Sequence, residues 1–325
     1  MRGFLKSRTG TKMLSKKRAA SLVGAVLLLF LALLLVLITE GTLAQGVSAR
    51  PGVVYVPMVR RDQPPPPTPT PWPTLTPTST PTPGPPPQDP RAYVNYFRGL
   101  AGVPPVTFDA ILDDNCFQHA RYMAENNHLT HDQNPGWPYA SASGQVCASK
   151  GNAWLGGASG TPRWTPLRPV TGWMASLGHR LWLLYPTTPT FGYGFYTAGN
   201  NRAGGALDVL SEARFGQDAA YSGWPVRYPA PHQSGVPALA YPITVNWRYF
   251  GPTPTVSTSR LRIVGGSDVP HTVTTSLPVN HKGIGILPNA PLPNDTVFEV
   301  SVSGSYDGQP FSYTWQFATG NAAVP

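Results

Sequence analysis

The sequence predicts an α+β domain followed by an all-β region, both placed behind a membrane-targeting helix and a disordered Pro/Thr-rich stalk. Three observations carry that class. Apolar residues recur at helical spacing behind capping residues in several stretches between Asp89 and Leu181. Short apolar runs punctuated by glycine, "FGYGFY" at Phe191 to Tyr196 and "GGALDVLS" from Gly204, read as adjacent strands. After about Gly223 the chain turns to two-residue alternation broken by Pro and Gly. The expected division is residues 1–18, 19–38, 39–88, 89–222 and 223–325.

The first of these divisions is a basic cytoplasmic segment and the second a hydrophobic one. Ala19 to Ile38 carries no charge over twenty residues, enough helix to cross a bilayer at roughly 30 Å. Basic residues before it and none close after it leave the amino end in the cytoplasm and send everything beyond Glu40 outside. The run is expected to be retained as an anchor; small residues at Thr42 and Ala44, or at Val47 and Ala49, leave a cleaved signal as the alternative.

Residues 39–88 form the linker. From Pro64 to Pro90, fourteen of 27 residues are proline, a composition that cannot build a packed core and that predicts an extended spacer. In polyproline II geometry, at about 3.1 Å per residue, it would reach roughly 80 Å.

The helical signals begin where the prolines end. Asp89 can cap a helix with Pro90 in its first turn, and Tyr93, Phe97 and Leu100 follow at helical spacing before Gly102. Asp109 caps a second helix with Leu112, Cys116, Ala120 and Met123 on one stripe, and Asn126 and Asn127 suit its exit. A third pattern brings Val170, Trp173, Met174, Leu177 and Leu181 together. Asn134 to Pro169 is long for a loop, which signals function or concealed strands. Beyond Gly223, "YPITVNWRYF", "RLRIVGG", "TVTTSLPV", "TVFEVSVSGSY" and "FSYTWQFATG" read as strands.

Charge and motifs narrow the chemistry. The formal charge of +9 is concentrated at the amino end: seven basic residues lie within the first eighteen, leaving 17 basic against 15 acidic residues afterwards, so nucleic acid is not an expected partner. No HExxH, GxxxxGK[ST] or GxSxG segment occurs, which removes the common routes to metalloprotease, nucleotide hydrolase and α/β-hydrolase. Cys116 and Cys147 both follow the export signal, where a disulfide is the expected pairing and two buried thiols the alternative. Trp137, Tyr139, Trp154, Trp164, Trp173 and Trp182 crowd the same region, as ordinary packing or as a surface for apolar or carbohydrate ligands.

Three ordered segments then carry a resemblance. "VNYFRGLAGVPPVTFDAIL", "HARYMAENNHLTH" and "WMASLGHR", followed by "FGYGFY", resemble the CAP superfamily of cysteine-rich secretory, antigen-5 and pathogenesis-related proteins over roughly Asp89 to Arg214. The resemblance implies an α-β-α sandwich with a long groove, His131 and His179 as its two cleft histidines, and Ser176 where animal members often have glutamate. Gln145 of "SGQVCASKGN" stands where members generally carry the glutamate of "GEN". An amide keeps the shape but is a poor metal ligand and no proton-transfer base. His131 and His179 are therefore the only candidate zinc ligands, short of the three or four that zinc generally takes, so no cofactor is expected. His119 is read as buried structure and His128 as a rim residue. The β-rich end resembles an immunoglobulin-like bacterial surface module, through Thr296, Phe298, Val300, Val302 and Gly304, then Trp315, Phe317 and Thr319.

These readings favour an extracellular protein, anchored through residues 19–38 or secreted, that binds a lipid, glycan or envelope component in its groove without catalytic residues. The alternatives are a secreted metal- or histidine-dependent hydrolase and a purely structural envelope protein.

Overall fold

A computed structural model describes residues 85–157, 164–199 and 201–324. The expected basic segment and membrane helix, and most of the stalk, lie outside the described residues. No helix among the described residues is long and apolar enough to cross a membrane. The described residues all belong to one compact unit.

The opening helix α1, Pro90–Leu100, starts as the sequence predicts: the Asp89 carboxylate accepts from the Ala92 amide, and proline occupies the first turn. Strand β1, Thr107–Phe108, leads to α2, Ala110–Asn126, where Asp109 accepts from the amides of Ile111 and Leu112. Asn127 ends α2 in the left-handed region at φ 49°, a conformation asparagine tolerates better than most residues. The stretch that is long for a loop holds a concealed strand, β2, Gly151–Gly157, preceded by a helix the sequence did not signal, α3, Ala142–Lys150. Helix α3 has too weak a periodic stripe to stand out, because its buried residues are the small Gly144, Cys147 and Ala148.

The single helix expected around Trp173 is two. Helices α4, Leu167–Ala175, and α5, Leu177–Leu183, meet at Ser176, whose extended backbone (φ −99°, ψ 130°) breaks the helix. Strands β3, Thr190–Thr197, and β4, Arg202–Asp208, are antiparallel neighbours, as their glycine-punctuated runs predict. The sheet order is β1-β3-β4-β2, with β1 parallel to β3 and the other pairs antiparallel.

Helix α2 lies against this sheet at very short range. A Cβ on Gly194 of β3 would sit 2.1 Å from backbone atoms of Cys116 and Phe117, and one on Gly204 of β4 would sit 2.0 Å from the Ala120 carbonyl oxygen. Gly192, Gly194 and Gly204 are there for that approach, whereas a Cβ on Gly205 would meet Pro169 of the helix on the other side of the sheet. The Cys116–Cys147 disulfide then ties α2 to α3 across a sequence separation of 31.

A short 3-10 turn, Phe215–Ala220, ends this part of the chain. The remaining strands are β5 (Val226–Tyr228), β6 (Ile243–Asn246), β7 (Thr255–Ile263), β8 (His271–Thr274), β9 (Gly283–Pro288), β10 (Val297–Tyr306) and β11 (Gln309–Ala318). They make two antiparallel sheets, ordered β11-β10-β7 and β5-β6-β9-β8. In β10 the alternation resolves as expected, with Phe298, Val300 and Val302 inside. Strands β5 and β9 were not among the expected runs; β9 is "GIGILP", buried along nearly all of its length and so without a two-residue signature.

Apolar side chains from both sides of the sequence boundary at 222 and 223 share one core, from Val94 and Trp173 to Ile243, Phe298 and Phe317. Two buried arginines brace it. Arg98 donates to the carbonyls of Pro104, Leu183 and Tyr185, and burial lowers its pKa to about 9. Arg180 of the "GHR" segment donates to the carbonyls of Met174 and Pro242, with its guanidinium 4.2 Å from the Tyr241 ring centre, and so links α5 to the strand region.

Candidate functional site

Three local structures converge on the site. The first is the turn after α2, which carries His128, His131 and Gln133; the second is α3, with Gln145; the third is the break between α4 and α5, with Ser176 and His179. The histidines, 48 positions apart in sequence, stand with ring centroids 6.0 Å apart and planes inclined by 29°. His131 is exposed and His179 half-buried.

Each neighbour of the pair has its own hydrogen bond. Ser176 stands at the amino end of α5, yet its hydroxyl does not cap the helix and instead lies 3.0 Å from His179 Nδ1. The His179 carbonyl accepts from Asn152 Nδ2 at 3.0 Å, which holds the start of α5 against β2. Gln145 Oε1 accepts from the Gln133 backbone amide at 2.7 Å and so fastens α3 to the turn two residues beyond His131.

Beneath the turn lies a pair that sequence reasoning did not assemble. His119, buried on α2, presents Nε2 to the Thr130 carbonyl at 3.0 Å and Nδ1 to the Gln133 side-chain amide at 3.1 Å. A carbonyl can only accept, so Nε2 carries the proton and Nδ1 accepts from the amide NH2. The amide orientation is set from its other end, where Gln133 Oε1 accepts from the Ser141 amide at 2.9 Å. The arrangement leaves room for nothing more: a Cβ on Gly144 would meet Gln133 Nε2 at 2.5 Å. The available signal was a histidine three residues after Cys116 on the buried stripe of α2, since a buried imidazole requires partners.

Electrostatics agree with this neutral arrangement. Burial lowers the pKa of His119 to about 4, partly offset by the bond to Thr130 and deepened by His131. Burial, then the neighbouring His131, lowers His179 to about 4 as well. An imidazole so depressed is a weak proton acceptor at neutral pH, so the Ser176–His179 contact activates a nucleophile poorly. Among the described residues no group of three or more His, Cys, Asp or Glu side chains is placed to hold a metal ion.

The aromatic residues divide in two. Trp173 and Trp182 belong to the core, with Trp173 Nε1 donating to the Ala153 carbonyl. Trp154 and Trp164 meet edge to face at 5.4 Å, half-buried. Trp137 and Tyr139 are exposed, by 40% and 44%.

No curated protein matches the chain. The segment from α1 to just past β4, residues 91–210, matches the model of the CAP family, the cysteine-rich secretory protein family.

Proposed function

We propose that the protein is a recognition module, displayed outside the cell by the apolar segment 19–38 and the Pro/Thr-rich stalk, that binds a lipid, glycan or envelope component in the groove around His131, His179, Gln145 and Ser176 without turning it over. The observation that carries this reading is the meeting of His131 and His179 beside Gln145 and Ser176, two neutral side chains that already make hydrogen bonds. A hydrolase working through this pair would need a base poised near the working pH or a further anionic ligand beside the rings. Gln145, where a carboxylate would serve, is committed through Oε1 to the backbone of Gln133. The disulfide agrees with an oxidising compartment. In this reading the two C-terminal sheets act as an immunoglobulin-like spacer that stiffens the base of the CAP domain through Arg180.

Thermal melting tests the reading. With zinc added, the midpoint of the wild-type protein should stay where it is without metal. A zinc-dependent rise that His131→Ala abolishes would instead support the metal-dependent hydrolase. Co-sedimentation with anionic lipid vesicles and with an insoluble glycan supplies the positive arm: Ser176→Trp, which fills the groove, should remove the binding that wild type shows.

A further inference from the structure

We infer that the turn after α2 carries a saccharide subsite, a shelf formed by Trp137 with Asp132 and Asn134 at its edge, which takes a neutral hexopyranose. The inference rests on the recognition reading above and names the ligand class.

The platform comes first. Trp137 is 40% exposed. Behind it lies the buried Tyr122 ring, at 6.2 Å and nearly parallel, and His128 packs edge-on against it at 5.2 Å. His119 stacks in turn on Tyr122 at 6.3 Å, so the shelf stands on the buried histidine network of the cleft. The turn is held in place before any ligand arrives. The Asn134 amide donates to the Tyr122 hydroxyl at 3.0 Å, the Trp137 amide to the Asn134 carbonyl at 3.0 Å, and Asn126 Nδ2 to the Pro138 carbonyl at 2.8 Å. A preformed aromatic surface loses little conformational entropy on binding.

The polar rim comes second. Tyr122, His128, Asp132, Gln133, Asn134 and Trp137 line one pocket. Among the described residues neither the Asp132 carboxylate nor the His128 ring has a hydrogen-bond partner. Asn134 uses Oδ1 to accept from the Gly136 amide at 3.0 Å, which leaves its two Nδ2 protons to donate. A flat ring flanked by one open acceptor and one open donor suits a sugar, whose C–H face stacks while its neighbouring hydroxyls both donate and accept. An acyl chain would leave the Asp132 charge without a partner, and a phosphate would be repelled by it. The bare carboxylate also disfavours acidic sugars. An equatorial hexose, which offers the flattest face, fits best.

Isothermal titration of the whole protein with cellotriose, and separately with chitotriose, tests the inference. The expected result is millimolar binding of at least one trisaccharide, weakened tenfold or more by Trp137→Ala and several-fold by Asp132→Asn. Because Trp137 packs on Tyr122, its variant is first checked for an unchanged urea midpoint. Asp132→Asn, at an exposed site, keeps the test decisive if that check fails. Absence of binding for both sugars up to about 10 mM, or variants that bind as wild type does, overturns the subsite. If the sugars fail while vesicles still bind and Ser176→Trp removes that binding, only the ligand class is refuted. If every probe fails, the recognition reading falls with it.

Discussion

Replacing Gln133 with leucine should destabilise the protein because it leaves two polar groups under the cleft without partners. The side chain donates to His119 Nδ1 at 3.1 Å and accepts from the Ser141 amide at 2.9 Å, and Gln133 is only 6% exposed. A buried polar group left unpaired costs about 1–3 kcal/mol. The Ser141 amide is partly buried and can recover some water, so it belongs at the low end, while leucine regains part of the loss through apolar burial. The net expectation is about 2–3 kcal/mol, read as a lower urea midpoint with an unchanged slope. A double-mutant cycle with His119→Phe isolates the pair. Removing both partners should cost less than the sum of the single changes, with a coupling of about 1–2 kcal/mol. A coupling below about 0.3 kcal/mol, within the scatter of additive sites, would refute the claim that this bond organises the floor of the site.

Three further outcomes follow from the same geometry. Replacing Cys116 and Cys147 together with alanine should lower stability by about 3–4 kcal/mol, since the bond closes a loop spanning 31 positions, and reducing agent should lower the wild-type melting midpoint in the same direction. Gly194→Ala should cost at least about 1–3 kcal/mol, because its methyl group meets the α2 backbone rather than a side chain that can turn away; denaturant unfolding near wild type would contradict that close approach. Acid should weaken the fold well before its carboxylates titrate: burial holds His281 at about 3 and neither ring nitrogen has a partner among the described residues, while His119 and His179 stand at about 4. Between those values and the unfolded value near 6.5, the unfolded chain binds more protons, so stability present at pH 7 is lost as the pH falls. For His281 the loss by pH 5 is about 2 kcal/mol. His281→Phe should shrink the pH 7 to pH 5 difference in urea stability by that amount, and an unaltered difference would count against it.

Much of the fold was legible along the chain because its signals are local. Asp89, Asp109 and Asn127 mark helix ends through side chains that bond or bend their own backbone, and such signals need no tertiary context. The alternation in β10 was equally local. Helix α3 and strand β9 escaped for the opposite reason: one buries small residues and the other buries nearly everything, so neither leaves a periodic trace. The break at Ser176 escaped because the apolar spacing runs through it, while packing on either side decides the backbone.

The candidate site divides along the same line. Sequence by itself determined which residues could take part: two histidines, a glutamine in place of an acid, two cysteines able to pair, and a run of prolines ahead of the domain. Only the tertiary structure decided how they meet. Whether His131 and His179 approach across 48 positions, whether Gln145 faces a ligand or a backbone amide, and whether Trp137 is core or surface all depend on how α2, α3 and α5 pack on the sheet. Hydrogen bonds and burial are set by neighbours distant in sequence, and a pattern confined to a few consecutive residues carries no record of them.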